Sequence, residues 1–185
     1  MNKNKLKVIN LFGPPGVGKS ATRSGIFWLM KCHHISVEEV SEYAKYLVLT
    51  GRTWQLKDDQ LYLLAKQHHK QLILHGRYEF AVTDSPLSLC DFYAPPDYFP
   101  DFRTLVKQAE DRFENINFYL TRDLSTGFEQ EGRVHDLEAA TLLDEQMRQY
   151  LHERSIKYTE VPLDLLTPWR IVEQLCPGVV RHPKF

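Results

Sequence analysis

The sequence predicts an α/β fold, a three-layer sandwich in which helices cover both faces of a mostly parallel, five-stranded sheet. Two observations predict it. Short apolar runs with the composition of buried strands alternate along the chain with longer stretches of helical periodicity. The 185 residues suffice for one compact domain with a sizeable core, and no internal repeat divides them. We therefore expect residues 1–185 to form a single domain.

Five runs have the apolar, β-branched composition expected of strands that are covered on both faces. They are residues 6–12, 34–37, 80–84, 116–120 and 156–161. Because helical stretches separate them, parallel pairing through crossover connections is expected.

Six stretches predict helices. Five of them are residues 21–30, 40–49, 103–113 and 169–175 and a helix marked by Leu137, Ala140, Met147 and Leu151. The longest, residues 58–75, places one stripe of side chains inward and ends before Gly76; the stripe is Leu61, Leu64, Ala65, His68, Leu72 and His75. Residues 85–100 and 121–133 are predicted loops.

The composition excludes several classes of protein. The 23 basic and 24 acidic residues nearly balance, so no overall field favours nucleic acid or a membrane surface, although a local basic patch is compatible with these totals. Cys32, Cys90 and Cys176 are far apart and odd in number, which favours free thiols in a reducing compartment. No stretch approaches the ~18 apolar residues of a membrane span. We expect a cytoplasmic protein.

The most specific feature is a glycine-rich loop between the first strand and the first helix. It reads Gly13-Pro14-Pro15-Gly16-Val17-Gly18-Lys19-Ser20, the G-x-x-x-x-G-K-S pattern of a phosphate-binding loop (P-loop). In this context backbone N–H groups and the positive end of the helix surround a polyphosphate. We expect this loop and Ala21 to bind ATP, with Lys19 on the β- and γ-phosphates and Ser20 on Mg²⁺.

A single acid ends the strand at residues 80–84. Asp84 stands at the carboxyl end of a predicted core strand, where ligands bind in open α/β sheets. A carboxylate there can orient Mg²⁺ or accept the proton of a substrate hydroxyl. The alternative is that Asp84 caps the turn at Ser85-Pro86. With the phosphate-binding loop upstream, we predict a catalytic and metal-binding role.

Three further acids follow the second predicted strand. Glu38, Glu39 and Glu42 are candidates for gripping the hydroxyl of a phosphoryl acceptor, and Glu42 is the preferred one. The alternative is an acidic first turn that favours the helix dipole without further function.

Two arginines bracket a predicted lid at about residues 121–135. Arg122 and Arg133 could stabilise the charge on a phosphoryl group in transfer, and Gly127 and Gly132 would permit the lid to close. The alternative is that both arginines are simply solvated.

The predicted loop at residues 85–100 is rich in aromatic side chains. Phe92, Tyr93, Tyr98 and Phe99 either stack on a nucleobase or pyridine ring or pack the loop onto the domain, and the sequence leaves both readings open. The histidine pairs His33-His34 and His68-His69 lack metal-ligand spacing, so no metal besides Mg²⁺ is predicted.

Other residues favour one class of P-loop protein. A GTPase would carry Asn-Lys-x-Asp after a late strand, where this chain has Thr121-Arg122-Asp123. A motor ATPase would have two adjacent acids at the strand end, where this chain has only Asp84 before Ser85-Pro86. This pattern favours a small-molecule kinase. A partner-regulated P-loop ATPase or nucleotide switch is the alternative.

Several segments resemble nicotinamide-riboside kinase domains. Residues 42–48 resemble a Glu-Tyr-x-Arg-x-Tyr-Val segment, and Asp58-Asp59-Gln60-Leu61 the acidic start of a helix in that family. Val82-Thr83-Asp84-Ser85 is similar to its Asp-Thr-Asp strand end, Glu131-Gly132-Arg133 to its lid, and residues 156–161 to its closing strand. Small phage-encoded P-loop proteins, AAA-type ATPases or nucleotide kinases, share this layout.

The resemblance implies a P-loop kinase-like fold and phosphorylation of a hydroxyl on a nucleoside-like group by ATP and Mg²⁺. It implies that Lys19 and Ser20 hold ATP and Mg²⁺, that Asp84 and Glu42 serve metal and acceptor, and that Arg133 closes the lid. The acceptor stays open between a nucleoside, a nucleotide and a nucleic-acid base, such as a hydroxymethyl-pyrimidine in phage DNA. The sequence also leaves open whether ATP or GTP is the preferred donor, and what the oligomeric state is.

Overall fold

The computed structural model of the chain describes residues 5–121 and 137–180. The strands are β1 (Lys7–Phe12), β2 (Val37–Val40), β3 (Phe80–Thr83), β4 (Glu114–Thr121) and β5 (Thr159–Pro162). They form one sheet in the order β2-β3-β1-β4-β5, and the β1–β3, β2–β3 and β4–β5 pairs are parallel. The prediction of an α/β fold on a mostly parallel, five-stranded sheet is confirmed.

Helices connect and flank these strands. They are α1 (Lys19–Cys32), α2 (Tyr43–Leu49), α3 (Gln55–Asp58), α4 (Gln60–Leu72), α5 (Ser88–Phe92), α6 (Phe102–Glu110), α7 (Leu137–Glu153) and α8 (Thr167–Leu175). No helix of the described ranges is long and apolar enough to cross a membrane.

The chain divides into two compact units. Unit 1 contains Met1–Asn10 and Ser36–Ile116, and unit 2 contains Leu11–Ile35 and Asn117–Phe185. The glycine-rich loop belongs to unit 2, whereas Asp84 and Glu42 belong to unit 1. That the whole chain is one domain stays a prediction.

Unit 1 has a continuous apolar core. The core contains Leu6, which directly precedes β1, Val8 of β1 and Val40 of β2. They meet side chains from α2, α4 and α6, among them Leu47 and Val106, and all five are almost completely buried. β1 is buried along almost its whole length, as expected of a parallel strand, whereas in β2 only Val37 and Val40 are buried.

Unit 2 is held together by close helix packing and by a polar network. The absence of a side chain at Gly25 lets α1 approach α8, since a Cβ at this position would lie 2.7 Å from Cγ of Pro168. The Tyr119 hydroxyl donates to Asp144 Oδ1 over 2.6 Å, which ties β4 to α7. Burial and this hydrogen bond raise the pKa of Tyr119, so the phenol stays protonated as the donor.

The second strand was predicted too early in the sequence. Residues 34–37 were expected to be a strand, but β2 is Val37–Val40. The chain leaves α1 in a turn in which His34 has φ 56° and Ile35 N–H donates to the carbonyl of Met30. As a consequence, Val40 ends a strand and does not begin the following helix, which starts at Tyr43.

The long helix predicted for residues 58–75 is α4, which spans only Gln60–Leu72, and the short helix α3 before it was not predicted. α3 ends at Asp58, and Asp59 caps α4 by accepting a hydrogen bond from Tyr62 N–H. The predicted inward stripe is also wrong in part: the buried residues of α4 are Gln60, Leu63, Leu64, Gln67 and Gln71. Leu61, expected inside, is 40% exposed.

Two smaller differences concern loops. The predicted loop at residues 85–100 contains helix α5, and the closing strand begins at Thr159 instead of residue 156. The predicted loop at 121–133 lies outside the described residues, except for Thr121, which ends β4.

Candidate nucleotide-binding site

The glycine-rich loop adopts a backbone that only glycines accommodate without strain. Gly13, Gly16 and Gly18 have φ values of 138°, 77° and 93°. The loop is closed internally by Val17 N–H, which donates to the carbonyl of Pro14 over 3.2 Å. The predicted spacing of glycines therefore corresponds to a defined local fold.

Two of these glycines are also required by close packing within unit 2. A Cβ at Gly13 would lie 2.8 Å from the carbonyl oxygen of Leu120 and 2.9 Å from Cγ1 of Val17. A Cβ at Gly18 would lie 3.0 Å from Cδ2 of Leu163. Leu120 of β4 and Leu163, which directly follows β5, thus fix the position of the loop.

Lys19 places a positive charge over the loop. Its Nζ donates to the carbonyl oxygens of Gly13 (2.7 Å) and Pro14 (2.9 Å). An ammonium group held at this position can interact with the oxygens of a polyphosphate that enters the loop.

The first turn of α1 is suited to an anion. The first N–H groups of a helix have no acceptor within it, so the amides of Ser20 and Ala21 can donate to phosphate oxygens. This first turn contains no acidic residue, and the Ser20 side chain is exposed. A hydroxyl there is one of the hard oxygen ligands that Mg²⁺ accepts.

The remaining loop residues contribute shape. Pro14 and Pro15 have no N–H to donate, and the Val17 N–H is used inside the loop. The Val17 side chain is buried. These three predicted binding residues therefore shape the loop, and backbone donors for a phosphate would have to come from other residues.

Asp84 is a buried carboxylate in unit 1. It follows Thr83, the last residue of β3, and it is 3% exposed. The turn after the strand has a cap in Thr83, whose Oγ1 accepts a hydrogen bond from Ser85 N–H over 3.1 Å. Thr83 thus caps this turn, the role that the sequence had offered as the alternative for Asp84.

The three candidate glutamates lie at different places in unit 1. Glu38 and Glu39 belong to β2, opposite Ala81 and Val82 of β3. A hydrogen bond with Glu38 raises the pKa of Tyr78, at the amino end of β3, so Glu38 is engaged away from the carboxyl ends of the strands. Glu42 directly precedes α2.

Glu42 also lies near the aromatic loop. Burial and the charge of Glu42 raise the pKa of Tyr93 to about 12. Tyr93 is 46% exposed, so its side chain remains accessible. Of the three glutamates, Glu42 is the one beside an accessible ring.

The aromatic side chains of residues 85–100 divide between the two alternatives. Tyr98 packs the loop onto α4: its hydroxyl accepts a hydrogen bond from Leu61 N–H (3.0 Å), and its ring lies 4.8 Å from that of Phe102. Phe99 and Tyr93 are exposed. Of the four rings, Tyr98 packs the loop, Phe92 is half-buried with its ring 4.8 Å from that of Tyr93, and Tyr93 and Phe99 are exposed.

Arg122, Arg133 and the lid at about residues 121–135 cannot be placed in this site. Apart from Thr121, these residues lie outside the described ranges. Their catalytic role stays a prediction.

Two supporting contacts were not predicted from the sequence. Gln67 Nε2 donates to Thr83 Oγ1 over 3.2 Å, which fixes the end of β3 just before Asp84. Leu163, the residue after β5, contacts Gly18. The position of Leu163 after a strand was a usable signal, because loops at the carboxyl ends of parallel strands form ligand sites.

Comparisons with known proteins agree with this fold. The chain matches no protein-family model and no curated protein. It resembles the structure of NadR protein in complex with NR, with a TM-score of 0.67 and 17% identity over 97% of this chain and 54% of that chain. For a second structure, NadR protein in complex with NAD and AMP-PNP, the TM-score is 0.64. The sequence identity is 14%, and the match covers 97% of this chain and 52% of that chain.

The chain thus spans about half the length of the NadR chains that it matches. At these identities the likeness concerns the fold. The expected resemblance is confirmed at that level: this chain has an α/β fold similar to that of NadR, with a P-loop between its first strand and first helix.

Proposed function

We propose that this protein is a Mg²⁺-dependent kinase that transfers the γ-phosphate of ATP to a hydroxyl group of a nucleoside, a nucleotide or a nucleic-acid base. The observation that carries the proposal is the phosphate-binding loop, with three left-handed glycines and Lys19 Nζ over the carbonyls of Gly13 and Pro14. Backbone amides and a lysine in this arrangement bind the phosphates of a nucleoside triphosphate.

The loop residues would act on the donor. Lys19 would neutralise charge on the β- and γ-phosphates, and the amides of α1 would hold their oxygens. Ser20 and Asp84 are the ligands we propose for Mg²⁺, because a hydroxyl and a carboxylate are the hard oxygen donors that it prefers. The bound ion would offset charge on the phosphates during transfer.

Glu42 and Asp84 are the two candidates for orienting the acceptor. Either carboxylate could accept the proton of the attacking hydroxyl. The proximity of Glu42 to Tyr93 supports Glu42 as the acceptor-side acid, because an accessible aromatic ring can stack on a nucleobase. Arg122 and Arg133 are proposed to stabilise the transferring group from the lid.

The neighbours in fold support a nucleoside-like acceptor. The two NadR structures are complexes with NR and with NAD and AMP-PNP. By analogy, we propose an adenine nucleotide as donor and a ribonucleoside-like group as acceptor for this chain.

The decisive experiment uses γ-labelled ATP with a panel of nucleosides, nucleotides, single-stranded DNA and duplex DNA. Transfer of label to one member, lost in Asp84→Asn and retained in the exposed-surface variant Asp111→Asn, would support the kinase. Phosphate release from ATP that no acceptor changes would instead favour a partner-regulated ATPase or nucleotide switch. If the protein did not turn over ATP at all, both the kinase and the ATPase or switch would be contradicted.

A further inference from the structure

Three tyrosines and three cations of unit 1 form a continuous surface cluster on α2, α4 and the segment after α2. The ring of Tyr43 lies 5.6 Å from that of Tyr46 and 5.8 Å from that of Tyr62, and the hydroxyls of Tyr43 and Tyr62 are 3.2 Å apart. We call Tyr43, Tyr46, Tyr62, Arg52, Lys66 and Lys70 the aromatic–cationic cluster.

Each ring of the cluster has its own cation. The guanidinium carbon of Arg52 lies 5.1 Å from the Tyr46 ring, Nζ of Lys66 lies 5.2 Å from the Tyr62 ring, and Nζ of Lys70 lies 5.6 Å from the Tyr43 ring. Nζ of Lys70 also donates to the carbonyl oxygen of Ser41 over 2.8 Å, and Nε of Arg52 donates to Thr50 Oγ1 over 3.2 Å. Because an ammonium or guanidinium group has several N–H donors, each can in addition interact with an anion.

The exposed part of the cluster, Tyr46, is not required by the core of unit 1. The anchor of α2 is Leu47, which is completely buried, whereas Tyr46 is 49% exposed on the same short helix. Tyr43 is half-buried against the core and supports the outer ring. An exposed aromatic ring that packs against a second ring is suited to stacking on a base, because it loses little side-chain entropy on binding.

Positive charge predominates in the segment of the chain that contains the cluster. The chain as a whole has a net charge of −1, but residues 43–77 contain six basic and only two acidic residues, Asp58 and Asp59. The Asp59 carboxylate is engaged by Tyr62 N–H at the start of α4. The excess of positive charge is therefore local, and the net charge of the chain conceals it.

We infer that the aromatic–cationic cluster binds single-stranded nucleic acid. The exposed ring of Tyr46 provides a face for an unpaired base, and the half-buried rings of Tyr43 and Tyr62 support it. The cations beside these rings provide partners for the phosphates. A duplex keeps its bases stacked within the helix, so it cannot use the rings. This binding does not depend on the proposed phosphotransfer, although it would favour an acceptor within a polynucleotide.

The test is fluorescence anisotropy of a labelled deoxythymidine oligomer of roughly 15 nucleotides, titrated with the full chain without ATP. We expect saturable binding that is weaker for a duplex of the same length. If three cations contact phosphates, the slope of log affinity against log salt should be about −2.

Point variants of the cluster test whether the oligomer binds there. Tyr46→Ala should weaken it roughly five- to a hundredfold, as expected for the loss of one stacked base, while Tyr46→Phe should retain it. Lys66→Gln should reduce the steepness of the salt dependence by about 0.7. Matched controls lie on α1 in unit 2: Trp28→Ala removes another exposed ring, and Lys31→Gln removes a lysine 5.3 Å from the Phe27 ring.

The controls also separate this inference from the proposed kinase. Lys19→Ala should bind the oligomer like the unaltered chain, even where phosphotransfer is lost. Binding that survives both Tyr46→Ala and Lys66→Gln, equal binding of duplex and single strand, or no binding at low salt would each overturn the inference. If Trp28→Ala weakened binding of the oligomer as much as Tyr46→Ala does, the aromatic–cationic cluster would not be the binding site.

Discussion

The phosphate-binding loop and helix α4 differ in how far their local sequence determines their structure. In the loop, glycines stand where φ is positive and where a Cβ would collide, so sequence and backbone agree residue by residue. In α4, the apolar pattern indicated one buried face, and the helix is turned so that Gln67 and Gln71 lie inside.

The difference follows from what each region must satisfy. The loop has to offer backbone amides to a ligand, and backbone conformation is encoded by glycine and proline locally. The orientation of α4 depends on partners distant in sequence, such as Thr83 for Gln67. The predicted and observed stripes differ by about one residue, which is roughly 100° around a helix.

The largest expected effect concerns the loop. Lys19→Ala should lower phosphotransfer by about a thousandfold, or about 4 kcal/mol, because it removes the positive charge held over Gly13 and Pro14. Steady-state kinetics with the best acceptor would measure it. Lys31→Ala, on the same helix, is the control, and equal losses in the two variants would contradict the assignment of Lys19.

A second prediction separates backbone conformation from crowding. Gly13→Ala should lower the free energy of unfolding by about 3 kcal/mol, since the new Cβ meets the Leu120 carbonyl in addition to a strained φ of 138°. Gly51 has φ 70° and open space around its Cβ position, so Gly51→Ala should lower it by only about 1 kcal/mol. Urea unfolding of both variants measures the difference, and equal losses would show that the loop is not closely packed.

The buried face of α4 provides the third prediction. Gln71 is 1% exposed, and among the residues that the structure describes neither amide atom of its side chain has a hydrogen-bond partner. Gln71→Met should therefore leave the free energy of unfolding unchanged or raise it by up to about 1 kcal/mol.

Gln67→Met is the matched control on the same helix. It removes the hydrogen bond to Thr83 Oγ1 and should lower the free energy of unfolding by about 1 kcal/mol. If Gln71→Met were the more destabilising of the two, the orientation of α4 would be wrong.

The smallest expected effect is a pH dependence on the same helix. Burial lowers the pKa of His68 below its usual 6.5. The unfolded chain therefore binds a proton first as the pH falls below about 6.5, and the free energy of unfolding should fall until the folded protein also titrates. The imidazole is only partly buried, so the effect should stay under about 1 kcal/mol.

The measurement compares His68→Gln with His69→Gln, which alters the exposed neighbour. Between pH 7 and pH 5, unfolding by urea should show a smaller loss of stability in His68→Gln than in His69→Gln. Identical pH profiles for the two variants would show that His68 is not shielded in the folded protein.

Most of the fold was predictable because its strands are apolar and its helices are periodic. β1, β3 and β4 were predicted within about two residues at each end, a scatter that is usual at element ends. β2 was misplaced because the segment His33-His34-Ile35 closes α1 through hydrogen bonds to Met30 and Lys31, which no local pattern indicated. The aromatic–cationic cluster was missed because its rings come from two helices that meet only in the folded chain.

By itself the sequence determined the α/β class, the position of the phosphate-binding loop and the residues suited to a triphosphate. It could do so because glycine positions and strand composition act locally. The tertiary structure decided which face of α4 is buried, how Leu120 and Leu163 fix the loop, and which aromatic rings pack and which are exposed. These depend on contacts between residues distant along the chain, and such contacts leave no periodic signal in one sequence.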